Sequence, residues 1–62
     1  MNTLTAKELT ALEEQLGSEV VLISKFQTYA EMATDPKVKS VCNAAATRHK
    51  KHYTILQKYL TM

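Results

Sequence analysis

The chain has 62 residues, one cysteine and a formal net charge of +2 at neutral pH. A chain this short buries only about 60% of the surface that its unfolded form exposes, and one cysteine excludes a disulfide within the chain. Small folds without a disulfide usually need a metal, a partner chain or an unusually good helix interface. The net charge is too small to indicate a polyanionic partner by itself.

The amino-terminal segment has neither a basic stretch nor a following apolar run, so no secretory signal is predicted. The longest strongly apolar run, residues 20–23, is far shorter than the roughly 20 residues of a membrane span. A lone thiol, Cys42, favours a reducing compartment. We therefore predict a soluble intracellular protein with no membrane partner.

Two helices separated by one break are predicted. Thr5 and Glu8 have the spacing of a capping box, which favours a helix start after Thr5. Asp35 followed by Pro36 favours a second helix start, and the short connection makes the two helices antiparallel neighbours. The predicted elements of this single all-α domain are helix 1 at about 6–33, a turn at 34–35 and helix 2 at about 36–60.

The hydrophobic periodicity predicts more apolar surface than one hairpin covers. With about 100° per residue, the apolar positions of helix 2 fall within an arc of about 120°, whereas those of helix 1 spread over about 180°. One partner helix leaves much of the wider arc in water, so we expect a second copy to cover it by two-fold pairing into a four-helix bundle. The arc of helix 1 contains Leu9, Leu12, Leu16, Val20, Leu22, Ile23, Phe26, Tyr29, Ala30 and Ala33.

Charge is divided unequally between the two helices. Helix 1 has two lysines against five glutamates, a balance of −3, whereas helix 2 has six basic residues and no acidic ones, a balance of +6. A solvated face that offsets acidic helix 1 is the preferred interpretation of the basic helix. Nucleic acid is not the expected partner, because the basic residues form no base-reading motif; those considered are Lys37, Arg48, Lys51 and Lys58.

Three polar residues occupy positions where the helical wheels predict apolar ones. Glu19 lies in the apolar arc of helix 1, and His49 and His52 lie one turn apart in the arc of helix 2. An antiparallel hairpin that turns at residues 34–35 brings position i level with about 69 − i. This register predicts that the carboxylate and both imidazoles occupy one layer of the core.

Two interpretations of this layer remain open. In the first, Glu19 accepts hydrogen bonds from the histidines, which offsets their desolvation and fixes the register of the bundle. In the second, Glu19, His49 and His52 bind a transition metal such as iron, manganese or zinc, as inward carboxylates and imidazoles do in other four-helix bundles. A dimer would supply two copies of each residue. Cys42, on the apolar arc of helix 2, is predicted to be a small core residue.

The order of these residues is similar to that of the spore coat protein F-like family. The resemblance extends over nearly the whole chain, and its most specific part is the segment from His49 to Tyr53, followed by Leu56 and Leu60. It implies a ferritin-like helical fold, in a family whose proteins are associated with spore coats or have no known function. The pattern comprises Leu4, Thr5, Glu8, Leu9, Glu13, Glu19, Leu22, Ile23, Lys25, Phe26, Tyr29, Ala30, Asp35, Pro36, Val38, Lys39, Arg48, His49, His52, Tyr53, Leu56, Tyr59 and Leu60.

The broader ferritin-like group implies a di-iron centre with a Glu on one helix and Glu-x-x-His on the next. Glu19 matches the first element and His52 the last, but His49 stands where the second glutamate belongs. This departure removes a bridging carboxylate. The leading prediction is therefore a non-enzymatic, cofactor-free, spore-coat-like homodimer that contacts itself and other coat proteins, and the alternative is a small ferritin-like metal-binding protein.

Overall fold

The computed structural model describes residues 4–61, and it consists of two α-helices that pack against each other as an antiparallel hairpin. The helices are Ala6–Met32 (α1) and Pro36–Thr61 (α2). The predicted all-α hairpin is therefore confirmed, and no strand occurs between residues 4 and 61. Residues 1–3 lie outside the described residues. They begin the segment in which no secretory signal is predicted.

The predicted capping box begins α1. The Thr5 hydroxyl accepts a hydrogen bond from the Glu8 backbone N–H at 3.1 Å, and the Glu8 carboxylate accepts one from the Thr5 backbone N–H at 3.0 Å. The two bonds satisfy backbone donors that have no partner inside the helix. The same hydrogen bonds hold the pKa of Glu8 below its usual value of 4.5.

The turn between the helices follows from the backbone of Ala33 and the side chain of Asp35. α1 ends at Met32 rather than at the predicted residue 33, because Ala33 has extended dihedral angles (φ −68°, ψ 132°) while its N–H still bonds to the Tyr29 carbonyl. At the start of α2, the Asp35 carboxylate accepts a hydrogen bond from the Lys37 N–H at 2.8 Å. Asp35 thus supplies the cap predicted for this helix.

A lysine of α2 stabilises the carboxyl end of α1. The Lys39 ammonium donates a hydrogen bond of 2.7 Å to the Ala30 carbonyl. The last turn of α1 has no basic residue of its own. The cation therefore comes from the neighbouring helix, where it faces the negative end of the helix dipole and one of its terminal carbonyls.

The core of the hairpin is small. Among residues 4–61, only four apolar residues are buried, and three of them have small side chains: Leu16, Ala30, Cys42 and Ala46. The molecule measures 46 × 15 × 11 Å, so it is about one helix thick in its shortest dimension. The predicted core position of Cys42 is confirmed. No helix within the described residues is long and apolar enough to span a membrane.

Candidate functional site: a buried carboxylate facing two histidines

Glu19 lies in the interface between the helices and is only 2% exposed. It is the one buried charged residue among those described. Its position follows from the helical repeat, since it shares the inner stripe of α1 with Leu16 and Ala30. A charge this deeply buried needs hydrogen-bond partners to offset its desolvation.

Three side chains surround the Glu19 carboxylate. His49 Nδ1 lies 2.9 Å from Oε2, and the Gln15 side-chain amide donates to Oε1 at 3.1 Å. His52 Nδ1 lies 3.5 Å from Oε1. Within residues 4–61, no buried side-chain nitrogen or oxygen lacks a hydrogen-bond partner. The predicted layer of one carboxylate and two imidazoles therefore exists inside a single chain.

Hydrogen bonding keeps this carboxylate ionised at neutral pH. The bond from His49 lowers the pKa of Glu19 below its usual value of 4.5 and outweighs the burial that raises it. The Gln15 amide and the charge on each histidine lower the same pKa further. Because an ionised carboxylate only accepts hydrogen bonds, Nδ1 of His49 must be the donor, and this assigns the proton to that nitrogen.

The two histidines differ in their surroundings. The His49 side chain is 24% exposed, and its ring stacks on Phe26 with a centroid distance of 5.8 Å and an interplanar angle of 8°. The Tyr29 ring packs edge-on against the Phe26 ring, with a centroid distance of 6.2 Å. The His52 side chain is 60% exposed, and its distance from Glu19 is longer than that of a usual N–H···O bond. His49 is therefore the principal partner of Glu19, and His52 lies at the margin.

Sequence reasoning missed two members of the layer. Gln15 precedes Glu19 by four residues, a spacing that places two side chains next to each other on one helix face, and this signal was available. Phe26 was placed on the apolar arc, but no spacing rule predicts that its ring lies parallel to an imidazole of the other helix. Stacking depends on the rotamers of both rings, which a helical wheel does not describe.

The three predicted ligands are arranged as a hydrogen-bonded layer rather than as an open metal site. Nδ1 of each histidine is directed at a carboxylate oxygen, and within the described part of the chain no group of three or more His, Cys, Asp or Glu side chains is placed to hold a metal ion. Metal binding stays a prediction.

Cys42 is not part of this layer. It is buried on the inner stripe of α2, seven residues before His49, and this spacing corresponds to about 10 Å along the helix. The imidazole is therefore too far away to act as a base for the thiol, which needs direct hydrogen-bond contact.

Comparison of the chain with models of known protein families, with curated proteins and with solved structures finds no match. The resemblance to the spore coat protein F-like family therefore remains a prediction from the order of residues.

Proposed function

We propose that this chain is a non-enzymatic structural or interaction protein, in which two hairpins pair as a homodimeric, ferritin-like four-helix bundle. The observation that carries the proposal is a second apolar stripe on α2, beside the one that contacts α1. This second stripe repeats every three and four residues, the spacing of a helix that contacts a second partner helix. Its apolar members are Val38, Val41, Ala45, Ile55 and Tyr59, and the polar residues Arg48 and His52 occupy the two positions in its middle.

The second stripe of α2 remains in water in the single hairpin. Val41 is 68% exposed, and Val38, Ile55 and Tyr59 are each about half exposed. On α1, Leu22, Tyr29 and Met32 follow the same repeat. The two helices are antiparallel, so successive residues rotate clockwise about one helix axis and anticlockwise about the other when both are viewed from the same end. These stripes therefore lie on the same broad side of the hairpin. We call this side the apolar face.

A second copy is the simplest cover for the apolar face. A side of the hairpin that measures 46 by 15 Å is comparable with the roughly 800 Å² that each partner of a stable complex buries. Face-to-face pairing by a two-fold axis places the same stripe on both sides of the contact. It would also supply the apolar burial that a hairpin with four buried apolar residues lacks.

The coat-like role is proposed from the residue pattern alone. Under this proposal the bundle is a building block that contacts itself and other coat proteins, and no reaction is assigned to it. Under this proposal the Glu19 carboxylate has a structural role. Its hydrogen bonds with Gln15 and His49 are made within the chain and specify the register of the two helices.

A matched pair of substitutions tests the pairing. Val41→Glu places a charge at the most exposed valine of the apolar face, and we expect it to halve the mass measured by light scattering after size-exclusion chromatography. Val20→Glu is the control, since Val20 is 52% exposed but lies on the opposite broad side, among Ile23, Gln27 and Tyr53. A wild-type chain that is already a folded monomer would refute the proposed pairing, and so would equal effects of the two variants.

Transition-metal binding is the second candidate function. It is favoured by one observation, the placement of two imidazole nitrogens within 3.5 Å of one buried carboxylate. If Glu19, His49 and His52 hold iron, manganese or zinc, the hydrogen bonds between them must open, and two copies in a dimer would offer six ligands. Protein purified without chelators would then contain stoichiometric metal by elemental analysis. The metal should be lost in the Gln variants of all three residues and kept in Glu13→Gln.

A further inference from the structure

Basic side chains interrupt the apolar face in its middle. On α2, Arg48 and His52 occupy the two central positions of the second stripe. On α1, Lys25 lies three residues after Leu22 and four before Tyr29, so it belongs to the same repeat as those apolar residues. Arg48 and Lys25 are exposed, and the His52 side chain is 60% exposed. Two of these three side chains are cations, and the third becomes one when it is protonated.

The interruptions lie close together along the length of the hairpin. The hydrogen bond from Lys39 to Ala30 shows that residue i lies level with about residue 69 − i of the other helix. Arg48 is therefore level with about residue 21, and Lys25 is about four residues, or about 6 Å, from that level. Lysine and arginine carry their charges on long flexible stems, so the two cations can approach one point above the apolar face.

The hairpin supplies no counter-charge for Lys25 and Arg48. Within residues 4–61, neither of them forms an ion pair. The helix α2 has no acidic residue, and the buried carboxylate of Glu19 already faces the two histidines. On α1, the exposed acidic residues nearest to Lys25 in the chain are Glu31 and Glu14, about 9 and 16 Å away along the helix axis. In the single hairpin both cations therefore rely on solvent for their hydration.

Pairing of two hairpins through the apolar face removes these cations from water without supplying an acid. If the two-fold axis brings α2 onto α2 of the second copy, Arg48 meets a helix that has no acidic residue. If the axis runs parallel to the helices, α2 meets α1 of the second copy at the same level, where the stripe offers Leu22 and Lys25. In both arrangements basic side chains come together in a largely apolar contact, where each charge needs a negative partner.

We infer that the middle of the apolar face is a binding site for a phosphate ion, which Arg48 and Lys25 hold between the two copies. The inference rests on the proposed function, because the second copy completes the site. A guanidinium matches two phosphate oxygens with its planar fork of N–H donors, and an ammonium adds a compact charge. Nδ1 of His52 is directed at Glu19, so Nε2 is the ring nitrogen available to the anion. Phosphate carries more than one negative charge near neutral pH and so offsets more than one cation.

Sedimentation equilibrium in chloride and in phosphate of equal ionic strength tests the site. One phosphate bound per dimer, at about ten times its own dissociation constant, should lower the dissociation constant of the dimer by about tenfold. A dimer with the same dissociation constant in both salts overturns the inference but leaves the proposed pairing intact. A chain that is monomeric in both salts overturns the pairing itself, and the anion site with it.

Substitution of Arg48 gives the specific test, because its effect should depend on the salt. In chloride, Arg48→Gln removes like charges from the contact, so this variant should dimerise more tightly than the wild type. In phosphate it should gain little further, since the fork of donors is lost. Lys25→Gln should change both quantities in the same direction, but less. A dimer that Arg48→Gln weakens in chloride would show that Arg48 pairs with an acidic group of the second copy, and this result overturns the anion site.

The matched control is Lys50→Gln, which removes one positive charge from the same helix. Lys50 is exposed and lies about 200° around α2 from Arg48, away from the apolar face. Phosphate also strengthens apolar burial in general, because it is excluded from protein surfaces, and this control measures that effect. Lys50→Gln should keep the full phosphate response, with circular dichroism verifying the helices of each variant. A response that Lys50→Gln and Arg48→Gln lose equally would assign it to net charge and overturn the inference.

Discussion

The layer around Glu19 and the apolar face lie side by side in the hairpin, but they differ in what one chain provides. The Glu19 carboxylate is only 2% exposed and needs hydrogen bonds to offset its desolvation. It accepts them within the chain, from Gln15 and His49. The apolar face, in contrast, is not covered by any part of its own chain: Val41 is 68% exposed. One chain completes its polar layer but not its apolar burial.

This difference separates two tasks of the sequence. The polar layer specifies how α1 and α2 align, because a shift by one residue would move Glu19 away from His49 and leave a buried charge without its main partner. The apolar face leaves side chains such as Val41 exposed in the single hairpin, and the proposed second copy would cover them. Substitutions in the layer should therefore change the stability and register of the hairpin, whereas substitutions in the apolar face should change the number of subunits.

Removal of the His49 side chain should have the largest effect on stability within the layer. His49→Ala deletes the main hydrogen bond to Glu19 and the ring stacked on Phe26, and it leaves the carboxylate with its weaker partners. We expect the urea midpoint of unfolding, measured by circular dichroism, to fall well below that of the wild type. His52→Ala is the comparison: its contact is longer and more exposed, so its midpoint should fall less. Equal losses would contradict the unequal roles of the two histidines.

Acid should weaken the layer through Glu19. The pKa of this carboxyl is lowered in the folded state, so its contribution to stability is complete above the unfolded value of about 4.5. That contribution is lost as the pH falls through the lower, folded value. The midpoint of thermal unfolding, recorded from pH 7 to pH 3, should therefore drop at the acid end. Glu19→Gln should flatten this drop, whereas Glu14→Gln, an exposed site outside the layer, should preserve it.

Two further changes lie outside both regions and provide reference points. Thr5→Ala removes the hydroxyl that caps α1, and loss of such a cap costs about 1 kcal/mol. Denaturation with urea should report this loss, with the subunit number unchanged at saturating protein concentration. Thr10→Ala is the control, because Thr10 bonds only to a carbonyl within its own helix. A loss as large as that of Thr5→Ala would show that the cap has no special role.

The smallest effect is expected at Gly17. A Cβ at this position meets no atom within 4 Å, so Gly17→Ala should stabilise the fold by up to about 1 kcal/mol through helix propensity alone. The gain should appear as a higher urea midpoint of unfolding, measured by circular dichroism. Destabilisation would indicate that another chain packs closely against the glycine.

Much of the hairpin could be predicted because its signals are local. The pairs Thr5 with Glu8 and Asp35 with Pro36 mark the helix starts, and a short turn then determines which levels of the two helices meet. That register brought Glu19 opposite the two histidines, as the structure confirms. Local rules extend less well to the end of α1, where Ala33 keeps one helical hydrogen bond while its dihedral angles leave the helix.

The rest of the site depends on side-chain rotamers. A helical wheel gives each residue a direction but no length, so it placed both histidines in the arc without indicating that His49 bonds closely and His52 remains largely exposed. The bond from Lys39 to the Ala30 carbonyl was missed for the same reason, since it spans the two helices through a long flexible side chain. The broad apolar arc of helix 1 did predict a surface that one partner helix leaves uncovered.

Native mass spectrometry of the untagged, unmodified chain tests the central claim most directly, because it reports the number of subunits and any bound metal in one spectrum. The predicted result is a principal species of twice the 7.0 kDa chain mass. Extra mass that equals a transition metal, and that disappears in the Gln variants of Glu19 and His52, would favour the metal-binding function on the same dimer. A folded monomer as the principal species, at concentrations well above those needed for a stable dimer, would contradict the proposal that the apolar face is covered by a second copy.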